Sequence, residues 1–156
     1  MRVGLVIYGS LQTISGGYLY DRQLVRHLRD AGDEVEIISL PWSCYDRHIL
    51  HNFRPSLARR LRYGRYDILL QDELNHPSLY LLNEKLKRQI DLPLISIVHH
   101  LRTSEQLAPQ QQLRARRIER RYLQSIDGFI YNSRTTKLST EALSGSPRPY
   151  VIAFPA

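Results

Sequence analysis

Four polar side chains of the types used in catalysis stand just after apolar runs of the sequence. Asp72 and Glu73 follow one run, and His99 and His100 follow another. A carboxylate that faces an imidazole across a cleft orients the ring and favours its charged form. We therefore predict that at least one of the two histidines acts in binding or catalysis, with Asp72 or Glu73 nearby. The alternative is that a histidine at a strand end only makes a structural hydrogen bond.

The spacing of these residues does not demand a metal ion. Neighbouring residues of an extended segment point in opposite directions, so His99 and His100 cannot chelate one ion together. A site built from Asp72, His76 and His99 is an alternative that nothing in the spacing requires. The single cysteine, Cys44, excludes an intrachain disulfide and a cysteine-based zinc site. We expect no metal, interpret Cys44 as a packing residue, and take a reducing, cytoplasmic compartment as the default.

A pair of glycines precedes the first predicted helix, in the run Ser15-Gly16-Gly17. Glycines at a helix start expose backbone N–H groups, and the helix dipole there favours an anion such as a diphosphate. Equally compatible is a turn whose glycines only permit tight packing of strand and helix. The sequence contains neither G-x-G-x-x-G nor G-x-x-x-x-G-K-[ST], which argues against an NAD site and excludes a P-loop.

The charge balance is basic, with 22 Lys and Arg against 15 Asp and Glu, a formal net charge of +7. Such a balance suggests a polyanionic partner. We expect no nucleic acid, because no recognised motif and no stacking-type interleaving of aromatic and basic residues is present. The segment from Phe53 to Arg65 has the pattern of a basic amphipathic helix, which can lie on an anionic membrane surface. A solvated helix face is the alternative for this segment.

Apolar runs alternate with helical periodicity along the 156 residues. The pattern predicts strands at residues 3–8, 35–40, 66–70, 94–98, 128–131 and 150–154, and helices at 18–31, 53–62, 77–89, 111–125 and 134–143. We predict one α/β domain, a Rossmann-like, doubly wound parallel sheet with helices on both faces. Ligands bind such sheets beyond the carboxyl ends of the strands. The polar residues that fall there are Asp72, Glu73, His76, His99, His100, Glu105, Asn132 and Ser133.

Five motifs, taken in order, resemble the N-terminal domain of retaining GT-B glycosyltransferases of family 4, also called group 1. They are the opening strand at 1–6, the glycine loop and helix at 15–32, the strand at 66–70, the strand that ends in His99-His100, and the stretch 122–133. The resemblance implies the acceptor-side half of a two-domain enzyme. Its donor-binding C-terminal domain, with a Glu-x7-Glu signature, is absent from residues 1–156, so we expect a fragment that is inactive by itself.

The resemblance also implies roles for individual residues. Gly16 and Gly17 would approach the diphosphate of a nucleotide sugar, the co-substrate, and no cofactor or metal would be needed. His99 would be the catalytic residue, which contacts the transferred hexose or the acceptor hydroxyl and acts by position and charge rather than as a general base. The remaining residues of the acceptor cleft would be Asp72, Glu73, His100, Asn132 and Ser133.

The implied partners are a nucleotide sugar, a sugar or lipid acceptor, the protein's own C-terminal domain, and an anionic membrane surface touched by segment 53–65. Two other interpretations stay open. One is a non-catalytic Rossmann-like module that binds an anionic ligand or partner through its basic face. The other is a flavodoxin-like protein that binds FMN or a nucleotide; the length of the chain fits it, but a convincing phosphate loop is missing.

Overall fold

Six parallel strands form one sheet in the computed structural model, which describes residues 1–155. The strands are β1 (Arg2–Tyr8), β2 (Glu34–Leu40), β3 (Ile68–Asp72), β4 (Leu94–Val98), β5 (Gly128–Tyr131) and β6 (Tyr150–Ile152). Their order across the sheet is β2-β1-β3-β4-β5-β6. The chain first moves outward from β1 to β2 and then returns to the other side of β1. The carboxyl ends of β1 and β3 therefore flank the switch point at which such sheets bind ligands.

Within the described part of the chain, six α-helices connect and cover the strands. They are α1 (Gly16–Asp30), α2 (Tyr45–Leu50), α3 (Pro55–Tyr63), α4 (His76–Lys87), α5 (Pro109–Ser125) and α6 (Arg134–Ser144), with 3-10 turns at His51–Phe53, Glu73–Asn75 and Arg102–Ser104. Prolines stand in the first turn of α3, α4 and α5, where a missing N–H breaks no helical hydrogen bond. Among the helices of residues 1–155, none combines the length and the apolar character that crossing a membrane requires.

Alternate residues of β1 enter two hydrophobic clusters on opposite faces of the sheet. Leu5 and Ile7 pack with Tyr18 of α1, whereas Val6 and Tyr8 pack with residues of α3, α4 and α5. Side chains of a strand alternate between its faces, so a strand buried on both sides contains no polar alternation. This burial explains the uninterrupted apolar runs of the sequence, and the predicted Rossmann-like α/β fold with helices on both faces is confirmed.

Some element boundaries differ from the predicted ones in ways that matter for the site. β3 spans Ile68–Asp72 rather than 66–70, because Arg65 adopts a positive φ of 55° and the strand pairs with β1 only from Ile68 onward. Asp72 therefore ends the strand instead of lying in the next loop. Helix α1 begins at Gly16, two residues earlier than predicted, because the Ser15 side chain caps it by accepting the Tyr18 N–H.

The other differences are smaller. Helix α2 was not predicted, because six residues are too few to display a helical period. The helix predicted from residue 53 begins at Pro55, because Arg54, which precedes the proline, is held in an extended conformation. β6 ends at Ile152, two residues earlier than predicted.

Candidate functional site

A cleft of about 150 Å³ opens at the carboxyl edge of the sheet, beside the switch point. Its walls come from the start of α1, the end of β3 and the segment that follows β4. The resemblance gives roles to eight residues, and five of them line the cleft. They are Gly17, Asp72, Glu73, His99 and His100. The sheet thus brings together residues that lie up to 83 positions apart in the sequence, from Gly17 to His100.

His99 is bonded to Asp21, which is absent from the predicted site. The Nε2 atom of His99 lies 3.0 Å from Oδ1 of Asp21. The Asp21 side chain is fully buried, whereas 16% of the His99 side chain is exposed. Burial alone would lower the pKa of His99, but the bond to Asp21 and the charge of Asp72 outweigh it, so the pKa is raised. The imidazole is therefore biased towards its charged form.

Asp72 completes a group that we call the open cluster, consisting of Asp21, Asp72 and His99. Burial and the neighbouring Asp21 raise the pKa of Asp72 to about 7, against the opposing effect of His99 and of the Leu74 N–H. One ligand atom from each of the three side chains lies within 4.8 Å of the others. This set could hold a divalent cation, because carboxylates and imidazole are common ligands. That no metal is needed stays a prediction.

Three further side chains form a sealed cluster, consisting of Glu73, His76 and Glu119. The Nδ1 atom of His76 lies 3.0 Å from Oε1 of Glu73, and its Nε2 lies 3.0 Å from the Tyr45 hydroxyl. Both side chains of the His76–Glu73 pair are only 2% exposed. Burial lowers the pKa of His76 to about 4, so this histidine is neutral. Burial raises the pKa of Glu73 to about 8.

Glu119 ties the sealed cluster to the segment after β4. Its two carboxylate oxygens accept the backbone N–H groups of Arg102 and Thr103, at 2.7 and 3.1 Å. Burial, together with the charge of Glu73, raises the pKa of Glu119 to about 8. Glu73 lines the cleft, but its side chain is only 2% exposed, and its Oε1 lies beside Nδ1 of His76 in this buried network.

The two glycines predicted for a diphosphate occupy different surroundings. A Cβ atom on Gly17 would lie 3.3 Å from Cδ2 of His99, whereas a Cβ atom on Gly16 would meet nothing within 4 Å. Gly17 thus makes room for the imidazole ring. Gly16 lies outside the lining of the cleft, and no packing contact explains its lack of a side chain. Their predicted contact with a diphosphate stays a prediction.

Asn132 and Ser133 lie outside this cleft. The Nδ2 atom of Asn132 donates to the backbone carbonyl of His99 at 3.1 Å, and Asn132 Oδ1 accepts from the Thr136 hydroxyl at 2.9 Å. Ser133 caps α6 by accepting the Thr136 N–H at 3.1 Å. Asn132 therefore holds the backbone of His99, and Ser133 starts a helix. His100, in contrast, is exposed at the cleft.

A sequence signal for Asp21 exists in retrospect. Tyr18, Asp21, Val25 and Leu28 follow the i, i+3, i+7, i+10 spacing of the buried face of a helix. An acidic residue at a position of this face that calls for an apolar side chain indicates a buried partner. Glu119 is similar, because it lies beside Ile118 within a run of arginines that otherwise face solvent.

A solved protein structure has a similar fold. Sucrose-phosphate synthase from Thermosynechococcus elongatus aligns with a TM-score of 0.73 and 15% sequence identity, over 98% of this chain and 47% of that chain. The chain thus spans about half the length of the protein that it matches. No protein-family model matches the chain, and no curated protein sequence matches it. At this identity the likeness shows the fold alone, a Rossmann-like domain of the GT-B glycosyltransferase type, and the assignment to family 4 stays a prediction.

Proposed function

We propose that this chain is the acceptor-binding half of a retaining glycosyltransferase, which moves a hexose from a nucleotide sugar to an acceptor hydroxyl. One observation carries the proposal: five of the predicted residues gather in one cleft, at the switch point of a domain whose fold matches half of a sucrose-phosphate synthase. The cleft offers carboxylate, imidazole and guanidinium groups, which together can accept from and donate to the hydroxyls of a sugar.

His99 has the properties that such a reaction needs at its centre. Its Nε2 is engaged by Asp21, and its ring is partly exposed at the cleft. A protonated imidazole can donate to an oxygen on which negative charge develops. In a front-face retaining transfer, in which donor and acceptor react on the same face of the sugar, the leaving phosphate can take the proton of the acceptor hydroxyl. His99 therefore acts through charge and position, and a separate protein base is not required.

The donor side belongs to a second domain in this proposal. The chain covers 47% of its structural relative, which supports a partner half of similar size. That half would hold the nucleotide, while the backbone N–H groups of Gly16 and Gly17 at the start of α1 would approach the diphosphate from this side. No metal ion takes part.

Amide NMR on the isotopically labelled chain tests acceptor binding directly. Addition of simple glycosides should shift the amide signals of Gly17, Asp72 and His99, and His99→Gln should weaken the binding. His27→Gln is the matched control, because His27 is exposed on α1 and lies outside the cleft. Shifts that appear only on the basic helices, with inorganic polyphosphate and not with any glycoside, would instead support a non-catalytic module for anionic partners.

We also propose that the domain attaches to an anionic membrane surface through the segment from Phe53 to Arg65. A groove of about 250 Å³ between α3 and α4 is lined by Arg59, Arg62 and Lys85 together with apolar side chains. Phe53 is 67% exposed at one end of this segment. Cations beside an exposed aromatic side chain suit the interface of an anionic bilayer, where each cation contributes about 1 kcal/mol.

Co-sedimentation with vesicles tests this attachment. The triple change Arg59→Gln, Arg62→Gln and Lys85→Gln should reduce binding to vesicles that contain anionic lipid at least tenfold. The matched control changes three exposed arginines of α5 to glutamine, so it also loses three positive charges. They are Arg116, Arg117 and Arg120. Equal binding by both triple variants, or equal binding to neutral vesicles, would show that this surface has no special role.

A further inference from the structure

Asp21 is a buried carboxylate at a position where the packing of α1 calls for an apolar side chain. It shares the buried face of the helix with Tyr18 and Val25 and has no exposed surface. Removing a carboxylate from water costs several kcal/mol unless partners compensate, and an apolar residue of similar volume often serves packing better. The presence of Asp21 here thus calls for a reason other than packing.

The contacts around His99 supply that reason. Asp21 engages Nε2 at 3.0 Å from the buried side of the ring. The ring of Tyr20 lies edge-on to the imidazole, with centroids 5.0 Å apart, and Gly17 leaves the space that the ring fills. Asn132 holds the backbone carbonyl of His99 at 3.1 Å. The imidazole is therefore bonded at Nε2 to the buried Asp21 and packed against Tyr20, while Asn132 holds the backbone of the same residue.

Nδ1 is the ring nitrogen left for a ligand. Within residues 1–155, the one hydrogen bond that the His99 ring makes is the bond between Nε2 and Asp21. The titratable groups that face the ring are Asp21 and Tyr20 from α1 and Asp72 from the end of β3. Two carboxylates therefore surround the ring, and both favour a positive charge on it.

We propose that Asp21 is a positioning residue for the reaction: it holds His99 as a cation whose Nδ1–H is presented to an oxygen of the ligand in the cleft. For its role in sugar transfer this inference rests on the proposed function; for the charge and orientation of His99 it rests on geometry alone. A cation held there by a buried carboxylate suits a ligand oxygen that carries or develops negative charge, such as a phosphate oxygen or an acceptor oxygen during transfer.

NMR titration of the His99 ring in the chain tests the charge assignment without any substrate. Asp21→Asn keeps the shape of the side chain and an oxygen that accepts from Nε2, but removes the charge. The variant should lower the pKa of His99 by at least about one unit, a tenfold change in proton affinity. Asp46→Asn, at an exposed carboxylate paired with Arg114, should leave this pKa unchanged. An unchanged pKa of His99 in Asp21→Asn would overturn the inference.

A second measurement on the unchanged protein keeps the inference testable even if the variant fails to fold. Above its pKa, neutral His99 should carry its proton on Nε2, facing Asp21, and the ring ¹⁵N shifts report this directly. A proton found on Nδ1 instead would contradict the proposed orientation.

Two further results would distinguish the positioning role of Asp21 from a cation site and from the proposed function. If Mn²⁺ alone broadened the His99 signals at substoichiometric amounts, and Asp21→Asn abolished the effect, the open cluster would be a cation site and the positioning role would be overturned. If no glycoside bound the cleft while Asp21→Asn still lowered the pKa of His99, the proposed function would fail and the charge assignment would stand.

Discussion

The open and sealed clusters each contain one histidine and two carboxyl groups, yet the pKa values of the two histidines are shifted in opposite directions. The pKa of His99 is raised, whereas burial lowers that of His76 to about 4. His99 keeps 16% of its side chain exposed and is bonded to a single carboxylate. His76 is 2% exposed and belongs to a network whose two acids retain their protons at neutral pH. Exposure and the charge of the partner, not the residue types, decide which cluster can meet a ligand.

The sealed cluster should matter most for stability. Glu119→Ala removes the acceptor of two backbone N–H groups and leaves a cavity, which should cost about 3 kcal/mol in the free energy of unfolding. Urea unfolding measures the loss. Glu84→Ala is the matched control, since Glu84 pairs with Arg121 at the surface, and it should cost under about 1 kcal/mol. If both variants lost the same free energy of unfolding, a carboxyl group of the sealed cluster would contribute no more to stability than one at the surface.

Stability should also fall as the pH rises from 6.5 to 8. Glu73 and Glu119 have folded pKa values raised to about 8, so the folded chain holds protons that the unfolded chain has released. Each such proton difference lowers the free energy of unfolding by about 1.4 kcal/mol per pH unit. The lowered pKa of His76 acts only below pH 6.5, outside this window. The raised pKa values of Asp72 and His99 act in the same direction as those of the two glutamates.

Glu73→Gln separates the sealed cluster from the open one in this experiment. The variant lacks one of the titrating acids, so its unfolding free energy should depend less on pH between 6.5 and 8. Denaturant unfolding at the two pH values measures both slopes. Identical slopes in the variant and the unchanged protein would mean that Glu73 does not titrate in this window.

The open cluster should matter for turnover. In an enzyme that carries this domain and a donor half, His99→Ala should lower kcat at least about tenfold, which corresponds to roughly 1.4 kcal/mol of transition-state stabilisation. His27→Ala, at an exposed position of α1, should leave kcat unchanged. Steady-state kinetics measure kcat for both variants. An unchanged kcat in His99→Ala would contradict the role proposed for His99.

The sequence predicts the sheet and one wall of the cleft well, for a physical reason. β4 and β5 have the predicted bounds, because strands buried on both faces are continuous apolar runs. Asp72 and His99 could be found because parallel strands bring their carboxyl ends to one edge. Asp21 and Glu119 were missed, because a charged residue on a helix ordinarily faces solvent. Their places on the buried faces of α1 and α5 are a weak signal in the sequence, and the packing of the two helices shows that both are buried.

Alanine substitutions at Gly16 and Gly17 should have the smallest effects on stability, and they distinguish a role in packing from a role in ligand binding. Gly16→Ala meets nothing within 4 Å, and neither glycine is among those with positive φ, so it should stabilise the domain by about 0.5 kcal/mol. Gly17→Ala places a Cβ 3.3 Å from Cδ2 of His99, so the ring must shift by a few tenths of an ångström. The ring signals of His99 and the glycoside affinity should therefore change in Gly17→Ala alone. The opposite result would be that both variants weaken the binding of a nucleotide sugar equally. That result would mean that residues 16 and 17 are glycine because a diphosphate approaches the backbone closely, and not because the imidazole needs room.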